Sequence, residues 1–438
     1  MHLLDSIFKK LQENKIRFVR LQFVDILGHP KNITIPVDSV ESAFKEGVNF
    51  DGSSVAGYAT IEESDYIAKP IAESFVIIPK ITNERAAAKF NCDIYCPDGK
   101  RYLGDPKYAL ERVVEKAKKL GYNYLTGPEC EFYLFKKADN KPTLEPNDYA
   151  GYFDLSHIDL AEDIRADISL VLEKMKIHVH STHHEVGTGQ HEIDLKHGEA
   201  IKNADWVITL KYVTKLVASL QNLHASFMPK PIHGLIGSGM HVHQCLVNSQ
   251  GKNMFNGGDE LSEVGEYFIG GLLKYVKEIT AVLNPTVNSY KRLVPGYEAP
   301  TYISWADKNR SALVRIPPAR GEGTRCELRS LDCSGNPYLQ FAVMLGAGLK
   351  GIQEKIEPPK KVEVNVYTLS KKQKEELGIK DLPNNLSHAL SFMEGSGLVR
   401  DVLGEHVFKH FLHIKKKEWE EYRMHVTRWE RDKYLPTI

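Results

Sequence analysis

The stretch GPECEFYLF, residues 127–135, sets two carboxylates one residue apart inside an apolar, aromatic run. Residues i and i+2 of a strand point to the same side, so Glu129 and Glu131 share one face while Cys130 and Phe132 share the other. Bare carboxylates side by side repel, and burial raises the cost of each charge. A strand with this pattern either keeps that face wet or meets cations there.

Three further segments repeat the pattern. HHEVGTGQHEIDL (183–195) presents Glu185 and Glu192 around a glycine-containing turn. GSGMHVHQC (237–245) presents His241 and His243 on one face of an expected strand, and TRCELRSLD (324–332) sets Arg325, Glu327 and Arg329 opposite Cys326 and Leu328. If the four faces converge, they enclose a polar cavity of glutamates, imidazoles and guanidinium groups. Carboxylates with an imidazole form a hard, oxygen-rich ligand set that suits Mg²⁺ or Mn²⁺ better than Zn²⁺. Arg310, Arg315, Arg320, Arg325 and Arg329 crowd the adjoining region. Beside a cation cavity, planar guanidinium groups fit phosphate oxygens. The chain carries no Walker A loop.

Lys+Arg and Asp+Glu both number 57, so the formal net charge is zero. That argues against nucleic acid or an anionic membrane as the main partner. No apolar run reaches membrane-spanning length, and the first residues lack the apolar core of a signal peptide. Cys92, Cys96, Cys130, Cys245, Cys326 and Cys333 form no CxxC framework and read as the reduced thiols of a cytoplasmic protein.

The first hundred residues read as β-rich. KIRFVRLQFVDI and KNITIPV flank Gly28-His29-Pro30 as a hairpin. Asp105 and Pro106 then open a helix with apolar residues at Leu110, Val113, Val114, Ala117 and Leu120, and Gly121 closes it. These signals divide the chain into 1–103 and 104–438. Further helices are expected near 203–224, 262–282 and 404–432, with Lys415, Lys416 and Lys417 on a solvated face of the last.

Read together, FDGSSVAGY (50–58), the four polar-faced segments, KRLVPGYEAP (291–300), NRSALVRIP (309–317) and NPYLQFA (336–342) resemble glutamine synthetase of the bacterial and archaeal type, in order and nearly end to end. The resemblance implies an α+β chain: a small N-terminal β-grasp domain and a catalytic domain whose antiparallel strands form a funnel. It implies a dodecamer of two stacked hexameric rings with each site built between neighbouring subunits. Carried over by motif, Glu131, Glu185 and Glu192 would hold one Mg²⁺ or Mn²⁺, and Glu129, His241 and Glu327 another. Arg292 and Arg329 would hold the carboxylates of L-glutamate, and Gly237 would line that pocket with its backbone. His243, Arg315 and Arg325 would face ATP, and Arg310 the transferred phosphoryl group. Glu298 would ride on a flap over the substrate, and Asp51 and Ser54 would reach the ammonium site from the adjacent subunit.

The reaction so implied is ATP-dependent ligation of ammonium to L-glutamate through γ-glutamyl phosphate, a step of nitrogen assimilation. Two rivals are a ligase that uses a larger amine and a non-catalytic relative. The intact Asp51-Gly52-Ser53-Ser54 argues against the first, and the full set of six metal ligands against the second. Ile236, His180 and Cys245 stand where relatives often carry Asn, Glu and Ser, which puts details of the substrate and ATP contacts in question. The short stretch from Phe135 to Gly151 matches the branch that lacks the adenylylation-associated insertion, and Tyr367 reads as an ordinary tyrosine. Thr60 stands where feedback-inhibited relatives carry Arg. It has no charge and too short a reach to replace a guanidinium contact. The expectation is weak glutamine feedback, with 2-oxoglutarate as effector and a small PII-type signalling protein as partner.

Overall fold

The computed structural model describes residues 2–58, 64–79 and 87–438. Thr60, on which the regulatory expectation turns, lies outside them. The strand Phe18–Val24 buries Val19, Leu21, Phe23 and Val24 and pairs antiparallel with Pro30–Pro36, as the hairpin reading requires. At the turn the Asp25 carboxylate accepts from the backbone N–H groups of Leu27 (3.0 Å) and His29 (2.9 Å). Gly28 has φ +85°, and a Cβ there would sit 2.9 Å from the Asn336 Cα. Only glycine meets both demands. The Asn336 amide donates to the Asp25 (3.0 Å) and Ile26 (3.3 Å) carbonyls, so this turn also joins the N-terminal domain to the rest of the chain.

Among the described residues the N-terminal sheet has six strands, ordered Pro30–Pro36, Phe18–Val24, Ala87–Tyr95, Asp65–Pro70 and Val48–Asp51, with Val76–Ile78 also on Ala87–Tyr95. Phe18–Val24 runs parallel to Ala87–Tyr95. The helices His2–Glu13 and Val40–Glu46 supply Ile7, Leu11, Val40 and Ala43 to the same core as Leu21, Phe90 and Ile94. This is the β-grasp domain.

The helix Pro106–Lys119 begins where expected. The Asp105 carboxylate caps it by accepting from Lys107 N at 3.0 Å. Beyond it lies a ten-stranded, mostly antiparallel sheet whose path runs Trp305–Asp307, Val314–Ile316, Cys326–Leu328, Met240–Val247, Asn123–Ala138, Gln190–Leu195 and Val179–His184. The long strand Asn123–Ala138 buries Cys130, Phe132 and Leu134 against a core shared with the helices Ala200–Leu220, Glu263–Leu283 and Pro337–Glu354. Burying side chains of that size contributes about 1.5–3 kcal/mol each. With one face committed to that core, the strand must turn Glu129 and Glu131 to the other.

The C-terminal expectation needs two corrections. The segment read as one helix is two, Glu405–Arg423 and Arg428–Tyr434, because Thr427 caps a new start with its side chain on Glu430 N. Lys415 is buried and donates to Glu418 at 2.8 Å, while Lys416 and Lys417 are exposed. A helix that packs on one side takes any lysine at the matching phase inward, where its methylenes pack and its charge is paired. All six cysteines are free thiols, five of them buried. Among the described residues no helix is long and apolar enough to cross a membrane.

Candidate active site

Strand register assembles the site. Glu131 stands opposite Glu192 and Glu129 opposite Asp194 on one neighbouring strand. On the other neighbour Glu129 stands opposite His241, and one strand further out His243 stands opposite Glu327 and Glu327 opposite Arg315. Glu185 lies just past the end of Val179–His184, at the start of the turn that leads back into Gln190–Leu195. The four segments singled out in the sequence thus converge, and all five glutamates project from adjacent positions.

The groups that face one another are close. His243 Nε2 is 2.7 Å from Glu129 Oε1, and Arg325 Nε donates to His243 Nδ1 at 3.2 Å. A donor at Nδ1 leaves the ring proton on Nε2, so His243 donates to Glu129. Burial alone would raise the Glu129 carboxyl; the hydrogen bonds of His241 and His243 outweigh it and hold the group well below its ordinary value. Burial likewise works against Glu327, but Arg329 and His243 bring it down to about 2. Arg315 Nε and Arg329 Nη1 each reach Glu327 at 2.5 Å. Glu131 accepts from Gly239 N at 2.8 Å and from Gln190 Nε2 at 3.1 Å. Glu192 is different: burial, then Asp194, Glu129, Glu131 and Glu185, push its carboxyl well above the ordinary range.

Among the described residues, ligand atoms lie within 4.8 Å of one another in the sets Glu129–His241–Glu192, Glu129–His243–Glu327 and His183–Glu185–Glu192. Two imidazoles stand beside the expected ligands. His243, assigned to the nucleotide, shares the carboxylate cluster, and His183, not singled out beforehand, stands 3.2 Å from Glu185 and 3.5 Å from Glu192. The donor set fits hard divalent cations: carboxylates outnumber the nearby imidazoles, and Glu192, whose carboxyl burial and the neighbouring acids push up, lies among them.

A cavity of about 640 Å³ opens beside the cluster. Glu129, Glu131, Glu185, Glu192, Gly237, His241, Arg292, Glu298, Arg310 and Arg329 all line it. Arg292 is buried and donates to the carbonyls of Ser330 (2.7 Å), Leu331 (3.1 Å) and Arg329 (3.1 Å). A Cβ on Gly237 would press on Arg292 Cγ at 2.8 Å, so glycine lets the loop and the guanidinium approach. Ile236 also lines the cavity, and its carbonyl accepts from the Tyr133 hydroxyl at 2.6 Å. His180 is exposed, and Cys245 is buried with its sulfur 3.8 Å from His197 Nε2. His243 and Arg315 sit on the sheet and Arg325 just before the strand Cys326–Leu328, all outside the cavity's lining. Asp51 and Ser54 also stay out of that lining. Asp51 lies on the N-terminal sheet, exposed, where Ser53 N donates to it at 2.8 Å and holds its carboxyl below the ordinary value.

Tyr152, Phe153, Tyr297, Asn365 and Tyr367 line the cavity too. Tyr367 reads from the sequence as an ordinary tyrosine and the other four are not singled out there, since isolated aromatic and amide residues in loops carry no periodic signal. Behind the carboxylates runs a buried polar chain. Arg165 pairs with Asp159 (2.5 Å) and meets His191 Nδ1 (2.9 Å); His191 Nε2 meets Asn147 (3.3 Å). Asp148 meets His184 Nε2 (3.0 Å), whose Nδ1 holds the Glu185 carbonyl (2.6 Å). Burial, then the charges of His184 and Arg165, keep His191 neutral, well below its ordinary pKa.

Residues 103–434 match the family model described as glutamine synthetase, catalytic domain, and residues 15–97 the one described as glutamine synthetase, beta-Grasp domain. The chain belongs to the glutamine synthetase family. Glutamine synthetase of Methanosarcina mazei is 48% identical over 438 residues, covering 99% of this chain and 98% of that protein. Glutamine synthetase of Thermotoga maritima is 47% identical over 436 residues, covering 99% of each. A solved GmaS–ADP complex is 30% identical, superposes with a TM-score of 0.90 and covers 98% of this chain and 99% of that one. Full-length likeness at this level extends the type I resemblance over both domains. The activity is that of the family: a glutamate–ammonia ligase that uses ATP and divalent metal.

Proposed function

We propose that the cavity divides its labour as the motifs suggest. Glu131, Glu185 and Glu192 would hold one divalent cation, and Glu129, His241 and Glu327 a second, with Mg²⁺ or Mn²⁺ as the ion. Held by these carboxylates and His241, the cations would supply Lewis-acid charge that offsets the negative charge of the ATP phosphates during phosphoryl transfer. The observation that carries this reading is the register that aligns Glu131 with Glu192 and Glu129 with His241.

Arg292 and Arg329 orient glutamate. The Arg329 Nε–H is buried without a hydrogen-bond partner, a donor suited to a substrate carboxylate. Gly237 contributes backbone to the same pocket. Arg310 faces the transferred phosphoryl group, while His243, Arg315 and Arg325 meet the nucleotide. The glutamate side-chain carboxylate attacks the γ-phosphorus and ADP leaves. Ammonia then attacks the acyl carbon of γ-glutamyl phosphate and phosphate leaves. Glu298, on its Pro/Gly-bracketed loop, shuts out water during these steps.

Asp51 and Ser54 complete the ammonium site from the neighbouring subunit, which accounts for their place outside this chain's own cavity. The assembly proposed is a homododecamer of two hexameric rings in the cytoplasm, with the domains dividing at residues 103 and 104. Control is proposed to pass from glutamine to 2-oxoglutarate and a PII-type partner. Titrating activity with each metabolite tests this, and strong inhibition by glutamine with no response to 2-oxoglutarate refutes it.

ADP release with glutamate plus ammonium, compared with glutamate plus alkylamines and with glutamate alone, tests the reaction itself. Ammonium is expected to drive turnover. A preference for an alkylamine would reassign the second substrate.

A further inference from the structure

Three loops meet at the cavity mouth: the Glu298 loop, the Arg310 turn and the segment 362–368. The Asn309 amide donates to the carbonyls of Val362 (3.0 Å) and Val364 (2.9 Å). Asn309 Oδ1 accepts from Ser311 Oγ (2.8 Å), and Ser311 Oγ accepts from Val366 N (3.1 Å). Arg310 sits between these two anchors. One residue on, the Tyr367 hydroxyl donates to the Ala299 carbonyl at 2.6 Å. Ala299 directly follows Glu298, whose φ of +57° is a left-handed conformation that a non-glycine residue adopts only when its surroundings impose it. Tyr297, on the other side of Glu298, lies under the Lys230 ammonium, 3.8 Å from the ring centre. Asn365, Tyr367 and Tyr297 all line the cavity.

We infer that Tyr367 is a positioning residue: its hydroxyl latches the Glu298 loop to the segment that also fixes the Arg310 turn, so that the loop stays closed while the acyl phosphate exists. The inference rests on the proposed roles of Glu298 and Arg310. Beside Glu298 the latch is a single hydrogen bond from a ring that itself walls the cavity; the lysine over Tyr297 holds the loop's other flank. Residues 362–368 thereby couple the loop that excludes water to the turn that carries the phosphoryl-facing arginine.

Loss of the latch opens the site to water. The water oxygen attacks the acyl carbon of γ-glutamyl phosphate, the bond from that carbon to the phosphate oxygen breaks, and phosphate leaves as glutamate is restored. The water's protons pass to solvent. The net reaction is ATP hydrolysis with no glutamine formed. A role confined to stability would lower both products together, whereas a latch changes their ratio.

The experiment measures ADP and glutamine in the same reaction for the full-length wild type, Tyr367→Phe and Glu298→Ala at saturating substrates. The wild type is expected to release one ADP per glutamine. Tyr367→Phe keeps the ring and its packing, and its ADP-to-glutamine ratio is expected to rise by about threefold or more, the weight of one net hydrogen bond. Hydrogen exchange over residues 294–300 is expected to quicken in the same variant. A ratio of one and unchanged exchange in Tyr367→Phe, with an uncoupled Glu298→Ala, overturns the latch and leaves the site reading intact. A fully coupled Glu298→Ala overturns the site reading on which the latch depends.

Discussion

Glu131 and Glu192 stand opposite each other on antiparallel neighbouring strands, both buried. Burial and the acids around it raise the Glu192 carboxyl well above its ordinary range. The folded protein then keeps a proton that the unfolded chain gives up. This group's contribution to stability is present below the unfolded value, about 4.3, and is lost as pH rises through the raised folded value. A divalent cation held by the same oxygens, as proposed, would remove that penalty. The gain in melting temperature from Mg²⁺ is therefore expected to grow with pH above that unfolded value, and Glu192→Gln is expected to flatten the growth. Thermal melts with and without Mg²⁺ across pH decide it. A gain that shrinks as pH rises would contradict the assignment.

Glu327 is fully buried between Arg315 and Arg329. Glu327→Ala removes a proposed cation ligand and leaves two guanidinium groups without their carboxylate. Glutamine formation is expected to fall by at least about 10²-fold, while size-exclusion chromatography shows an unchanged assembly. Turnover near that of the wild type would rule out the role.

Arg165 neutralises Asp159 inside the polar chain behind the site, and both are buried. Arg165→Ala strands the aspartate and takes the donor from His191. Breaking such a buried pair costs about 3–5 kcal/mol, a loss that denaturant unfolding of the assembled protein resolves. Because the chain ends on the Glu185 carbonyl through His184, metal affinity is expected to weaken as well.

Asp51 lies outside the cavity of its own chain, and its proposed partner is ammonium in the neighbour's site. Asp51→Ala is expected to damage glutamine synthesis far more than the affinity for a non-hydrolysable ATP analogue measured by titration calorimetry. Equal losses would mark Asp51 as structural.

Some of this protein is written in short stretches of its chain. The two-residue period of 127–135 places Glu129 and Glu131 on one face, the Asp105-Pro106 start opens a helix, and Gly28 makes a hairpin turn. Each follows from backbone geometry and nearest neighbours, and the ordered motifs extended that reading to the family. Other features depend on partners far away in the chain. The pairing of Glu131 with Glu192 is a matter of strand register, and nothing within either strand dictates it. The burial of Lys415 depends on what its helix packs against. Tyr152, Asn365 and Tyr367 reach the cavity only because loops distant in sequence close over it. Periodicity is a local property of the backbone, whereas register, burial and cavity lining are settled by side chains that meet only once the chain has folded.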